Sequence, residues 1–179
     1  VEGVDVWRWC SMRPSGHQRD LLLGLARAML SSLDTADAKS GLPAESALAV
    51  LLHQSPAHAA AELGAALQRV AAPETSAQGL ARPPVARLIV VIDQFEEVFA
   101  LAEITSEARA HFVKALDALA RGGHAFVIAT MRSDFYSRCA ELPVLVRLKE
   151  GPGQYEVLPP SRSAIAREAR RSSRRSGGC

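Results

Sequence analysis

The apolar run "RLIVVI", residues 87–92, constrains the fold of this chain more than any other stretch. It is continuous and rich in β-branched residues, which is typical of a strand buried on both faces and therefore of a parallel sheet. A second run, "HAFVIAT" at 124–130, has the same character. Between them, "SEARAHFVKALDALAR" at 106–121 has the spacing of an amphipathic helix that ends at a pair of glycines. This order predicts an α/β domain whose parallel strands are joined by helical crossovers.

The remaining segments fit the same architecture. The pattern predicts a first strand at 4–10 and a last short strand, "QYEVL", at 154–158. Further helices are predicted over 17–33, from about 43 to 54, over 56–72 and over 96–104, with a Gly- and Pro-punctuated loop at 73–84. Residues 133–151 are predicted to be helical or irregular, with a break at Pro143.

Length and composition bound the class of protein. A chain of 179 residues suits one domain with a substantial core. Its apolar runs are far shorter than the roughly 20 residues of a membrane span, so we expect no membrane partner. The three cysteines form no closely spaced pair, which indicates reduced thiols and a cytoplasmic location.

Charge divides the chain into two parts. Residues 161–179 hold six arginines and one glutamate, a net charge of +5, so residues 1–160 carry −3 of the total of +2. We therefore predict a folded domain over 1–160 and a basic, disordered tail over 161–179. The tail raises nucleic-acid binding as an alternative, but no aromatic residue lies between its arginines for base stacking, so a solvated tail is the preferred interpretation.

Acidic residues follow the central apolar run directly. Asp93 comes at its end, and Glu96 and Glu97 lie one turn further on. Ligand-binding residues collect beyond the carboxyl ends of parallel strands, and Mg²⁺ prefers carboxylate oxygens. Asp93 is therefore a candidate Mg²⁺ ligand, and either glutamate is a candidate to orient or deprotonate an attacking water. The alternative is structural, because Asp93 followed three residues later by Glu96 has the spacing of a helix-capping box.

Polar residues also follow the second apolar run, at Thr130 and Arg132. Arginine suits phosphate binding because its planar, permanently charged guanidinium matches phosphate oxygens. The carboxyl ends of parallel strands meet at one edge of a sheet, so we expect Asp93 and Arg132 to lie at the same edge. Together they favour a nucleotide site.

Both motifs resemble those of a known family. "RLIVVIDQFEEVFA" and "ATMRSDFYSRCAELPVLVRL" closely resemble the NTPase domain of STAND proteins, the signal-transduction ATPases with numerous domains. The nearest match is the bacterial subgroup called novel STAND type 1, which is often joined to WD-repeat propellers. The opening, "VWRWCSMRPSGHQRDLLLGLARAML", resembles the second strand and helix of that subgroup, so the likeness covers roughly residues 5 to 160.

The resemblance implies roles for the motif residues. Asp93 corresponds to the Walker B aspartate that helps to hold Mg²⁺, and Glu96 and Glu97 to the acidic pair that positions the hydrolytic water. Arg132 corresponds to the sensor arginine that reads the γ-phosphate. The resemblance further implies an ATP-dependent switch that rests with ADP and assembles with ATP, followed by a winged helix and a repeat sensor.

The sequence also departs from the family. No GxxxxGK[ST] P-loop occurs in the chain, and the resemblance places that motif and the first strand upstream of the opening residues. We therefore expect a partial NTPase domain that is weak or inactive alone. The alternative is a non-catalytic interaction module, in which the helices around 44–71 and the "FEEVF" segment dock a partner.

Overall fold

A computed structural model describes residues 3–17, 20–34, 39–76, 82, 84–149, 154, 155 and 157. Within them, three strands form one parallel sheet: β1 (Val6–Met12), β2 (Ala86–Ile92) and β3 (Ala125–Ala129), in the order β1-β2-β3. The helices are α1 (Leu21–Leu33), α2 (Glu45–Gln54), α3 (Pro56–Ser76), α4 (Glu97–Ala100), α5 (Ser106–Arg121) and α6 (Pro143–Lys149), with 3₁₀ helices at Pro14–His17 and Ser133–Glu141. The predicted α/β fold with helical crossovers is confirmed.

Local sequence explains how the crossover helices α1 and α5 begin. The Asp20 side chain accepts a hydrogen bond from the Leu23 N–H at the start of α1. Thr105 does the same for the Ala108 N–H at the start of α5. These caps satisfy backbone donors that a helix leaves free in its first turn. α5 ends at Arg121 and is followed by Gly122 and Gly123; Gly123 has a φ of 74°, a conformation that glycine adopts without steric cost.

The core lies on one face of the sheet. The predicted apolar stripe of α1 is buried and packs on β1, while α3 packs on β2 and α5 on β3. α2 packs against α1 and α3. Eight sheet residues on this face are buried: Val6, Cys10, Met12, Ala86, Leu88, Val90, Ile92 and Ala125.

The opposite face of the sheet departs from the prediction. Trp7, Trp9, Phe126 and Ile128 are exposed there, Trp9 by 69%. β2 alternates between buried and half-buried residues. The prediction that the apolar strands are buried on both faces is therefore wrong within the described residues, because their helices pack on a single face.

Several boundaries also differ from the predictions: α1 begins at Leu21 rather than at 17, and α4 ends at Ala100 rather than at 104. The loop predicted at 73–84 is wrong at its start, because α3 continues through Pro73 to Ser76. Packing of α3 up to the fully buried Ala71 offsets the backbone hydrogen bond that proline removes. Residues 154, 155 and 157 carry no strand, whereas 156 and 158 of the predicted last strand lie outside the described residues.

Contacts divide the chain into two units, residues 1–148 and 149–179. The sheet and its packed helices belong to the first unit. The predicted tail at 161–179 lies outside the described residues, so the division at 160 stays a prediction. Of the helices in the described ranges, none has both the length and the apolarity that crossing a bilayer requires.

Candidate functional site

The carboxyl ends of the three strands meet at one edge of the sheet. The Asp93 N–H, just after β2, donates to the Met12 carbonyl at the end of β1, with a distance of 2.9 Å. The Thr130 N–H, just after β3, donates to the Ile92 carbonyl at 3.0 Å. Backbone pairing thus continues one residue past β2 and β3, and it fixes Asp93 between the other two strand ends.

The Asp93 carboxylate has a different partner on each oxygen. Oδ1 accepts a hydrogen bond from Thr130 Oγ1 at 2.8 Å. Oδ2 lies 3.4 Å from Arg13 Nη2, and both side chains are about half exposed. The Thr130 hydrogen bond and, after it, the Arg13 charge outweigh partial desolvation and hold the pKa of Asp93 below its ordinary value. Asp93 is therefore ionised at neutral pH and presents a carboxylate to solvent.

The turn after Asp93 is folded against β3 rather than into a helix. Gln94 adopts a left-handed conformation with a φ of 55°, and its N–H donates to Thr130 Oγ1 at 3.0 Å. The Phe95 N–H donates to the Thr130 carbonyl at 2.8 Å. α4 begins only at Glu97, and Glu96 at its cap makes no side-chain capping bond. The capping box that the sequence offered for Asp93 and Glu96 is wrong, because Thr130 satisfies the donors at the start of this turn.

Glu96 and Glu97 contact different parts of the sheet edge. Glu97 Oε2 accepts a hydrogen bond from the Ser15 N–H at 2.9 Å, on the β1 side. Glu96 Oε2 lies 3.4 Å from the Arg132 N–H, on the β3 side, which is a long and weak hydrogen bond. The adjacent acidic residues therefore have distinct surroundings, although the sequence did not distinguish them.

The Arg132 guanidinium has its own partners at this edge. Its Nε and Nη2 donate to the two carboxylate oxygens of Asp134, at 3.1 and 2.8 Å. It also lies 5.9 Å from the centre of the Phe135 ring. The structure brings the Arg132 backbone to Glu96, as the strand order predicts, whereas the guanidinium pairs with Asp134.

Arg138 connects the 3₁₀ helix Ser133–Glu141 to α4. Its Nη1 donates to the Phe99 carbonyl, at the end of α4, with a distance of 2.9 Å. The guanidinium lies 5.4 Å from the centre of the Phe99 ring and is also paired with Glu141. Arg138 is thus a structural residue within the second motif.

Sequence reasoning missed Arg13. The first strand was predicted to end at residue 10, but pairing with Ile92 extends β1 to Met12. Arg13 is therefore the first residue beyond β1, just as Asp93 is the first beyond β2 and Thr130 the first beyond β3. A search for polar residues at every strand end, with the strand bounds relaxed by two residues, would have found it.

The donor set at Asp93 fits one kind of metal. Among the described residues, no three or more His, Cys, Asp or Glu side chains cluster in a way that could hold an ion. Mg²⁺ is commonly bound through one or two carboxylates, with phosphate and water oxygens completing its shell. An ionised, half-exposed Asp93 fits that use, whereas a zinc site with several protein ligands is not present in these residues.

The model of the family described as Novel STAND NTPase 1 matches residues 2–177. No curated protein and no solved structure matches the chain.

Proposed function

Because this chain belongs to the Novel STAND NTPase 1 family, we propose that the strand ends at Asp93 bind the Mg²⁺ and terminal phosphate of ATP in a signalling switch. Membership of this family supports an NTPase-type signalling function. The observation that carries the finer proposal is the Asp93 carboxylate, ionised and about half exposed, with one oxygen fixed by Thr130.

Asp93 is the residue that would hold Mg²⁺. The hydrogen bond from Thr130 fixes the rotation of the carboxylate, so its other oxygen points to a constant place at the sheet edge. Bound there, Mg²⁺ would neutralise charge on the phosphates and orient them. A fixed ligand does not have to be ordered when the ion arrives, which favours binding.

Glu96 is the better candidate for the residue that orients the attacking water. A general base needs an unshared oxygen within reach of the water that it deprotonates. Glu97 is held by the Ser15 N–H at 2.9 Å in a half-buried position, whereas the contact of Glu96 is 3.4 Å long. Glu96 also lies beside Arg132, the proposed phosphate sensor. We assign Glu97 to holding the 3₁₀ helix that follows β1 against α4.

Arg132 would bind phosphate by exchanging partners. Its ion pair with Asp134 is strongly exposed, with 69% of the Arg132 side chain accessible. Exposed ion pairs contribute roughly 0–1 kcal/mol, so a phosphate group with several charged oxygens would replace Asp134 at small cost.

The wider context is also a proposal. A switch of this kind would be cytoplasmic and would act with a winged helix and a repeat sensor, assembling into oligomers in its ATP-bound form. The interaction-module alternative is less well supported, because the apolar residues it would use are in the core: Phe95, Val98 and Phe99 of the acidic segment, with Leu48, Leu52, Leu63 and Leu67 of α2 and α3, are buried.

Calorimetric titration with MgATP tests the proposal. We would compare the chain as it stands with the same chain joined upstream to a strand and P-loop unit of about sixty residues. Asp93→Asn should abolish the binding seen with the joined chain, and Glu96→Gln should preserve binding while stopping hydrolysis. Glu103→Gln, at an exposed position, removes the same charge and is the matched control. Equal binding by Asp93→Asn and the control would contradict the proposal.

A further inference from the structure

The residues on either side of Arg13 hold it at the sheet edge that carries Asp93. The Met12 carbonyl accepts the Asp93 N–H at 2.9 Å, and the Ser15 N–H donates to Glu97 at 2.9 Å. Pro14, between them, is buried. Hydrogen bonds therefore hold the backbone on both sides of Arg13 against the segment from Asp93 to Glu97. This places the Arg13 side chain beside Asp93.

The guanidinium of Arg13 contacts the Asp93 oxygen that Thr130 leaves unused. Arg13 Nη2 is 3.4 Å from Oδ2, whereas Thr130 Oγ1 donates to Oδ1. Arg132, the other arginine at this edge, is turned to Asp134. Arg13 is thus the cation that faces the oxygen proposed for the metal.

We propose that Arg13 sets the metal affinity of this site by competing with a divalent cation for Asp93 Oδ2. The inference rests on the proposed function, because it requires that Asp93 bind a metal. A guanidinium and a dication cannot share one carboxylate oxygen without strong repulsion, so the side chain must move away when the ion binds. The contact is long and half exposed, and such pairs are readily exchanged.

Titration with Mn²⁺, a paramagnetic substitute for Mg²⁺, tests the inference on the full chain. Free Mn²⁺ is measured by electron paramagnetic resonance for the wild type and for Arg13→Gln. Removing a unit charge several ångströms from a dication should tighten binding by about 3- to 10-fold. Arg13→Lys keeps the charge and should bind close to the wild type.

Arg121→Gln is the matched control. It also removes one exposed arginine from an ion pair, with Asp117 at 2.7 Å. Arg121 ends α5, and the chain enters β3 only after it, so it lies by the amino end of that strand. Its Mn²⁺ affinity should equal that of the wild type.

The outcomes separate this inference from the proposed function. Tighter binding by Arg13→Gln alone supports it, and unchanged or weaker binding overturns it, the weaker result indicating that Arg13 helps to bind the ligand. If Asp93→Asn binds Mn²⁺ as well as the wild type, or no variant binds, the metal site itself fails and the inference fails with it.

Discussion

The helices α4 and α5 begin in contrasting ways. α5 starts where its own sequence places a cap, Thr105, whose side chain accepts the Ala108 N–H. α4 starts four residues after Asp93, because Thr130, just after β3, accepts the N–H groups of Gln94 and Phe95. The first boundary is set locally and the second by the tertiary fold. Asp93 therefore does not cap α4, and its carboxylate contacts Thr130 and Arg13 instead.

Phe112 joins these two regions, and its removal should have the largest effect. It is fully buried in α5, and its ring centre lies 6.4 Å from that of Phe95 in the acidic turn. Phe112→Ala should lower the free energy of unfolding by about 3–5 kcal/mol through lost burial and a cavity. Urea denaturation followed by circular dichroism measures this. Lys114→Ala on the exposed side of α5 is the control, and equal losses from both variants would contradict the prediction.

Loss of the local cap should have a smaller effect. Thr105→Ala leaves the first-turn donor of α5 without its side-chain partner and should cost about 1 kcal/mol of stability. Thr105→Ser keeps the hydroxyl and should remain within a few tenths of a kcal/mol of the wild type. Denaturation of the three proteins under one set of conditions compares them. A loss confined to the serine variant would be inconsistent with a capping role.

Substitution of Gln94 by glycine should stabilise the protein, whereas the two substitutions above destabilise it. Its φ of 55° is unfavourable for a residue with a Cβ atom, whereas glycine tolerates it. Gln94→Gly should therefore raise the free energy of unfolding by up to about 1 kcal/mol. Gln94→Ala retains the Cβ and should not stabilise. A gain in the alanine variant, measured by thermal denaturation, would mean that the turn is not strained at this residue.

Thr130→Val should chiefly change the ionisation of Asp93. The hydroxyl of Thr130 is the leading reason that the pKa of Asp93 lies below its ordinary value, so its loss should raise that pKa. A lowered carboxyl pKa stabilises the fold above its unfolded value, and this contribution is lost as pH falls through the folded pKa. The variant should therefore lose less stability on acidification.

Carbon-13 NMR titration of the Asp93 carboxyl follows this change. Thr130→Ser keeps the hydroxyl and should retain the low pKa. A pKa unchanged in the valine variant would show that Arg13, the next group that lowers this pKa, is sufficient on its own.

Sequence alone predicts the parts of this molecule that local patterns determine. The predicted bounds of α5 are those observed, and the buried stripe of α1 from Leu22 to Leu33 was identified by its spacing. Pairing decides the parts that were missed. β1 extends to Met12 because Ile92 lies opposite, and Asp93 turns to Thr130, which is remote in the chain. The pairing of Arg132 with Asp134 depends on side-chain rotation, which residue spacing does not encode.

The exposure of Trp7 and Trp9 has a consequence for spectroscopy. These are both tryptophans of the chain, and both lie exposed on the sheet face opposite the core. Indole emission shifts to the red in water and to the blue when the ring is covered. The intrinsic fluorescence of this protein therefore reports the solvent exposure of Trp7 and Trp9 on one face of β1. It is a poor measure of core unfolding. The same property makes it a label-free signal for anything that comes to cover that face.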